Sequence, residues 1–110
     1  GEDHDAGYSL AIDNNQDIYI TGGTASTLFP NTPGVLNTSF VGGRSDGFVS
    51  HIDQSGQLLI NSTYFGSNTY DQSYFVELDR HDNVYLFGQT EIKIIHLFTM
   101  LSGVFLVVVS

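Results

Sequence analysis

Asp13-Asn14-Asn15-Gln16-Asp17 places side-chain oxygens at alternate positions, as the opening of a calcium-binding loop does. A formal charge of −9, from 12 acids and 3 bases, would favour a hard cation. The rest of the EF-hand pattern fails, because Ile18 stands where Gly is needed and Thr24 where the bidentate Glu belongs. A related stretch, Asp79-Arg80-His81-Asp82-Asn83, does not keep the spacing. A hairpin turn accounts for both runs more simply. The four histidines, His4, His51, His81 and His96, form neither a His-x-x-His nor a His-Glu-x-x-His arrangement, so no zinc site is expected. His51 falls in an expected strand and His81 in an expected turn, where packing or surface roles suffice. Glu77 and Asp79 alternate along another expected strand. Paired carboxylates can do acid–base work, but one wet strand edge explains them as well. Ser, His and Asp are present without a Gly-x-Ser-x-Gly elbow, and Gly42-Gly43-Arg44-Ser45 lacks the Lys and spacing of a phosphate loop. No catalytic, metal-ligating or cofactor-binding residue is expected, and no cofactor.

Composition narrows the class further. The 110 residues make one small domain. With no Cys, a disulfide framework, thiolate-ligated zinc and a cysteine nucleophile are all excluded. Three bases cannot neutralise a run of phosphates, which excludes nucleic-acid binding through a basic patch. Apolar residues at 41% argue for a packed chain rather than a disordered one.

The elements that must position these residues are strands, and they repeat. Displaced by 66 positions, the chain superposes on itself without gaps. Asp5, Tyr8, Asp13, Tyr19, Gly22 and Thr24 fall on Asp71, Tyr74, Asp79, Tyr85, Gly88 and Thr90. Ile12 falls on Leu78 and Ile18 on Val84, so the strand phase is kept as well. A unit of the same layout lies between the copies: Phe48-Val-Ser-His-Ile-Asp53, a polar tetrad containing Gly56, then Leu58-Leu59-Ile60. Each unit is an apolar run ending in Asp, a polar connection and a second apolar run, which is a hairpin signature. The closing Asp can accept hydrogen bonds from turn N–H groups. Strands are expected at about 8–13, 18–22, 46–53, 57–65, 74–79 and 84–88. Their loose alternation suits sheets stacked face to face rather than a sheet with one wet side. The positions that define the repeat are Tyr8, Asp13, Tyr19, Gly22, Asp53, Gly56, Tyr74, Asp79, Tyr85 and Gly88. The long segment Thr24 to Arg44 either packs through Leu28, Phe29, Val35 and Leu36 or presents a functional surface.

These motifs resemble the SBBP repeat. The resemblance rests on Gly7-Tyr8-Ser-Leu-Ala-Ile-Asp13, Asp17-Ile-Tyr19-Ile-Thr-Gly22, Phe29-Pro-Asn-Thr-Pro-Gly34, Ser45-Asp-Gly-Phe-Val49, Ile52-Asp-Gln-Ser-Gly56 and Ser62-Thr-Tyr-Phe-Gly66, which occur in that order. It covers about residues 6–90. It implies an all-β fold, with a β-propeller-type four-stranded antiparallel blade at 6–66 and the first hairpin of a second blade at 71–90. It also implies an extracellular or cell-surface setting in bacteria. Since propellers close with about four to eight blades, the remaining blades of a parent propeller are the expected partners, and the chain is expected to be a fragment of a larger protein. The expected function is a non-catalytic structural or binding module that scaffolds protein or polysaccharide contacts. The alternatives are part of a propeller-borne polysaccharide-acting enzyme, or a protein tethered to a membrane through its tail.

That tail, residues 91–110, breaks the pattern. From Ile94 to Ser110 there are 17 residues without Lys, Arg, Asp or Glu. Three readings compete for it. Ile92–Val109 could anchor in a membrane as a short helix. A shifted reading frame could have replaced the true blade. Or the segment packs on the blade as strand or helix. The expected organisation is therefore a blade region at 1–90 and an apolar tail at 91–110.

Overall fold

The computed structural model describes residues 3–33, 39–40, 42–66, 71–90, 96–101 and 104–109. Eight strands form two four-stranded sheets: β1 (Asp5–Ile12), β2 (Ile18–Thr24), β3 (Asp46–Ile52) and β4 (Leu59–Phe65), then β5 (Asp71–Leu78), β6 (Val84–Thr90), β7 (His96–Leu101) and β8 (Val104–Val109). The first sheet runs β1-β2-β3-β4, every pair antiparallel, which is the blade arrangement expected. The second runs β5-β6-β8-β7. Six of the strands lie where the apolar runs and their Asp terminators put them.

The repeat extends to the irregularities. β1 bulges against β2 at Tyr8, between the pairs Gly7↔Gly22 and Ser9↔Thr21. β5 bulges against β6 at Tyr74, between Ser73↔Gly88 and Phe75↔Phe87. At the first bulge the strands approach so closely that a Cβ on Gly22 would sit 1.8 Å from the Ala6 carbonyl oxygen. Only glycine fits there, and Gly88 occupies the corresponding place opposite Ser73.

One face of the first sheet packs on the second. Val49, with Ala11 and Tyr19 beside it, meets Val76, Val84, Leu86 and Leu78. The Val76 N–H donates to Ser9 Oγ across the gap at 3.2 Å. A smaller apolar cluster sits on the other face of the first sheet, beneath the segment that follows β2. Phe29 lies against Phe48 with ring centroids 4.3 Å apart, and Phe29 and Phe40 both meet Tyr64 edge-on. The buried Tyr64 hydroxyl donates to the Ser26 carbonyl at 3.0 Å and accepts the Phe29 N–H at 2.8 Å. Thr32 pairs with the outward backbone of Ser62: its N–H donates to the Ser62 carbonyl, and its Oγ1 accepts the Ser62 N–H. The segment thus covers the middle of the open edge of β4, a common way to protect an edge strand. Its departure from β2 is held by Asp5, whose carboxylate accepts from the Thr24 and Ser26 hydroxyls.

Four expectations need correction or restriction. Leu28 does not pack; it is 77% exposed, while Phe29 does the packing. Val35 and Leu36 lie outside the described residues. The first sheet is not covered on both faces, since Leu10 and Ile12 remain exposed. Asp79 is not on a strand beside Glu77: β5 ends at Leu78, and Asp79 opens the turn.

The tail is strand where it is described, not helix. β8 lies parallel to β6, and β7 pairs antiparallel with β8 on the outside. The third place in the second sheet is therefore filled in the reverse direction to β3 in the first. No helix among the described residues is long and apolar enough to cross a membrane. Glu91 to Ile95 lie outside the described residues.

Candidate functional site

Asp13, Asp53 and Asp79 close their strands in the same way. Asp13 Oδ1 accepts the Asn15 and Asp17 N–H groups, and Asp79 Oδ1 accepts those of His81 and Asn83, all at 2.8–2.9 Å. Asp53 Oδ1 accepts the Gln57 and Leu58 N–H groups, with the Ser55 hydroxyl donating to the same carboxylate. In each turn the backbone N–H three residues on returns to the Asp carbonyl. That residue has positive φ: Gln16 at 67°, Gly56 at 77° and Asp82 at 62°. A turn of this kind is compatible with glycine at its left-handed position, and two of the three copies do without it. Hydrogen bonds hold two of these carboxyls below the usual carboxylate range. For Asp53 the Leu58 N–H is the largest cause, and for Asp79 the Asn83 side chain is. Burial, then the charge of Asp79, pushes the Tyr85 hydroxyl up.

The turns also meet across the sheets. The Asn14 N–H donates to the Asp82 carboxylate at 3.2 Å, and the Asn14 side chain donates to the Arg80 carbonyl at 3.1 Å. Below this contact, Tyr19 stacks on His51 with centroids 4.2 Å apart and planes 15° apart. His51 Nε2 lies 3.0 Å from Asp17 Oδ2 and 3.8 Å from Asp13 Oδ2. Burial, followed by the negative charges of Asp13, Asp82 and Asp17, pushes the Tyr19 hydroxyl up to about 12. This grouping joins a turn to a strand of another unit and has no linear motif. The sequence alone therefore suggested no more for His51 than a packing or surface role.

Glu77 and Asp79, the carboxylate pair considered for acid–base work, do not act together. Glu77 is exposed on β5, and the Asp79 carboxylate is committed to His81, Asn83 and Tyr85. His4 and His81 are exposed and far from such a role: the His4 N–H donates to Asp3, and His81 Nε2 accepts from Arg80. Of the repeat-defining residues, Tyr8 and Tyr74 sit at bulges, Gly22 and Gly88 opposite the residues preceding them, and Tyr19 and Tyr85 on the second strand of each hairpin. Asp13, Asp53, Asp79 and Gly56 build turns.

The two sheets expose corresponding positions differently. Leu10, Ile12, Ile18 and Ile20 lie side by side on the face of the first sheet that points away from the second. Their counterparts 66 residues on are Val76, Leu78, Val84 and Leu86, which face the first sheet. Leu10 is 61% exposed, whereas Val76 is 2% exposed. Val84 and Leu86 are equally buried. In the other direction, Ser9, Ala11, Tyr19 and Thr21 of the covered face correspond to Phe75, Glu77, Tyr85 and Phe87 on the outer face of the second sheet. There Phe75 and Phe87 form a cross-strand pair that is 59% and 40% exposed. The second sheet thus occupies the first sheet's back face with the surface that the first sheet leaves open at its front.

An all-β chain whose second sheet covers one face of the first is consistent with propeller-type blades. A comparison with protein families agrees: residues 1–30 match SBBP, a β-propeller repeat. The match spans β1, the first turn, β2 and the start of the segment packed on β4. No curated protein matches the chain.

Proposed function

We propose that the chain is a section of a non-catalytic structural and binding module in which equivalent sheets stack head to tail. The face Leu10-Ile12-Ile18-Ile20 receives a preceding blade, and the face carrying Phe75 and Phe87 receives a following one. The carrying observation is that one set of repeat positions is buried in the second sheet and open in the first. At about 25 cal/mol per Å² of apolar surface, covering such faces is the main free-energy gain available to a stacked repeat. The SBBP resemblance, with the match at residues 1–30, supports a bacterial cell-surface or secreted setting. Protein or polysaccharide would then be bound by the assembled module.

A second copy can stand in for the missing neighbour. Leu10→Glu blocks the front face and Phe87→Glu the back face. By sedimentation velocity, each variant alone is expected to be monomeric, and an equimolar mixture to form a dimer and nothing larger. The unsubstituted chain is expected to form longer head-to-tail species as its concentration rises, because a heterologous contact of this kind does not close on itself. A mixture that stays monomeric, or a dimer formed by either variant alone, would contradict the proposal.

A further inference from the structure

We propose that Asp13, Asp17 and His51 form a binding site for one divalent cation of the Zn2+ class. The inference rests on their geometry and not on the stacking proposal. One ligand atom from each of the three lies within 4.8 Å of those of the other two, and His51 Nε2 faces Asp17 Oδ2 and Asp13 Oδ2. Ligands around a tetrahedral Zn2+ stand about 3.4 Å apart, given bonds of about 2.0–2.2 Å. The His51 Nε2 distances of 3.0 and 3.8 Å straddle that value, and no two of the ligand atoms stand more than 4.8 Å apart.

Each ligand is already held by its other end. Asp13 Oδ1 is fixed by the Asn15 and Asp17 N–H groups, and Asp17 Oδ1 accepts the Gln54 N–H at 3.1 Å. The His51 ring is fixed by its stack on Tyr19. Outer contacts of this kind orient metal ligands and lower the cost of assembling them.

A second observation points to a missing ligand. Asp13 is 7% exposed, and its Oδ2 faces His51 Nε2 at 3.8 Å, beyond hydrogen-bond distance. A buried carboxylate oxygen left this way carries a desolvation cost that a cation would offset. The imidazole nitrogen selects against Ca2+ and Mg2+, which take oxygen ligands, and suits Zn2+, Co2+ or Mn2+. On binding, the proton on His51 Nε2, where present, leaves to solvent and the nitrogen lone pair takes the metal. Three protein ligands leave at least one position for water. The ion would tie the β1–β2 turn to β3, and through the Asp17–Gln54 and Asn14–Asp82 contacts to the neighbouring turns.

The test is Zn2+ uptake by the whole 110-residue chain, measured by equilibrium dialysis in a His4→Ala background that removes a competing imidazole near the amino terminus. One Zn2+ per chain is expected. His51→Gln is expected to weaken binding by more than the ~10–100-fold that outer partners cost. Asp13→Asn, which keeps the Oδ1 acceptor of the turn, is expected to do the same, and His81→Ala to leave binding unchanged. Co2+ added to the chain without these site substitutions gives a readout that needs no variant to fold: visible ligand-field bands saturating at one equivalent are expected. Zn2+ binding that is equally tight in folded His51→Gln, or the absence of saturable Zn2+ uptake and of Co2+ bands, would overturn the assignment.

Discussion

At the scale of single residues, backbone geometry gives the sharpest expectations. Gly22 has the Ala6 carbonyl where a Cβ would be. Gly22→Ala must therefore push β1 from β2 at the bulge, and an unfolding titration is expected to show a loss of about 2 kcal/mol or more. Gln16 holds φ at 67° without being glycine. Gln16→Gly removes that strain, and a gain of about 0.5–1 kcal/mol is expected by the same measurement. Ionisation adds a pH dependence of known sign. Asp53 and Asp79 have folded pKa values below the ordinary carboxylate value. Their contribution is present above the unfolded value of 3.8 and is lost as pH falls through the folded ones. Tyr19 has the opposite sense, with its pKa raised from 10.0 to about 12. Its contribution is present below pH 10.0 and is lost as pH rises towards about 12. Thermal melts are expected to show Tm falling at both ends. Tyr19→Phe is expected to flatten the alkaline limb and leave the acid limb unchanged.

At the scale of elements, local signals were legible and non-local ones were not. Six strands could be placed because each of three units is an apolar run ending in Asp, a polar connection and a second apolar run, and Asp13, Asp53 and Asp79 each accept turn N–H groups in the structure. Asp53→Ala is accordingly expected to lower Tm more than Asp53→Asn, which keeps an acceptor oxygen. The identity of Tyr8 and Tyr74 was legible, but their bulges were not, because a bulge is a property of a strand pair. His51 beside Asp13 and Asp17 was hidden for the same kind of reason: the contact spans 34 or more positions and joins different units. Leu28 and Phe29 could not be told apart by hydrophobicity. The difference lies in the pocket that Phe48 and Tyr64 offer to an aromatic ring. The tail's strands were one of three readings because an uncharged apolar run has no period that separates a buried strand from a helix. The parallel pairing of β8 with β6 is a non-local contact that the composition of the run does not specify.

At the scale of the whole molecule, the 66-residue displacement is both a sequence repeat and a packing rule. It maps the open face of the first sheet onto the buried face of the second. The buried face carries the stability: Leu86→Ala, at a fully buried position, is expected to cost about 2–4 kcal/mol. Ile20→Ala, its counterpart on the open face, is expected to cost clearly less in the monomer. Because the chain has no Cys, single thiols can report on each face directly. The decisive measurement is the labelling rate of Leu10→Cys against Val76→Cys by a small maleimide, at a protein concentration low enough to prevent association. The stacked-repeat account predicts rapid labelling at position 10 and strong protection at position 76. Equal rates at the two positions would contradict it.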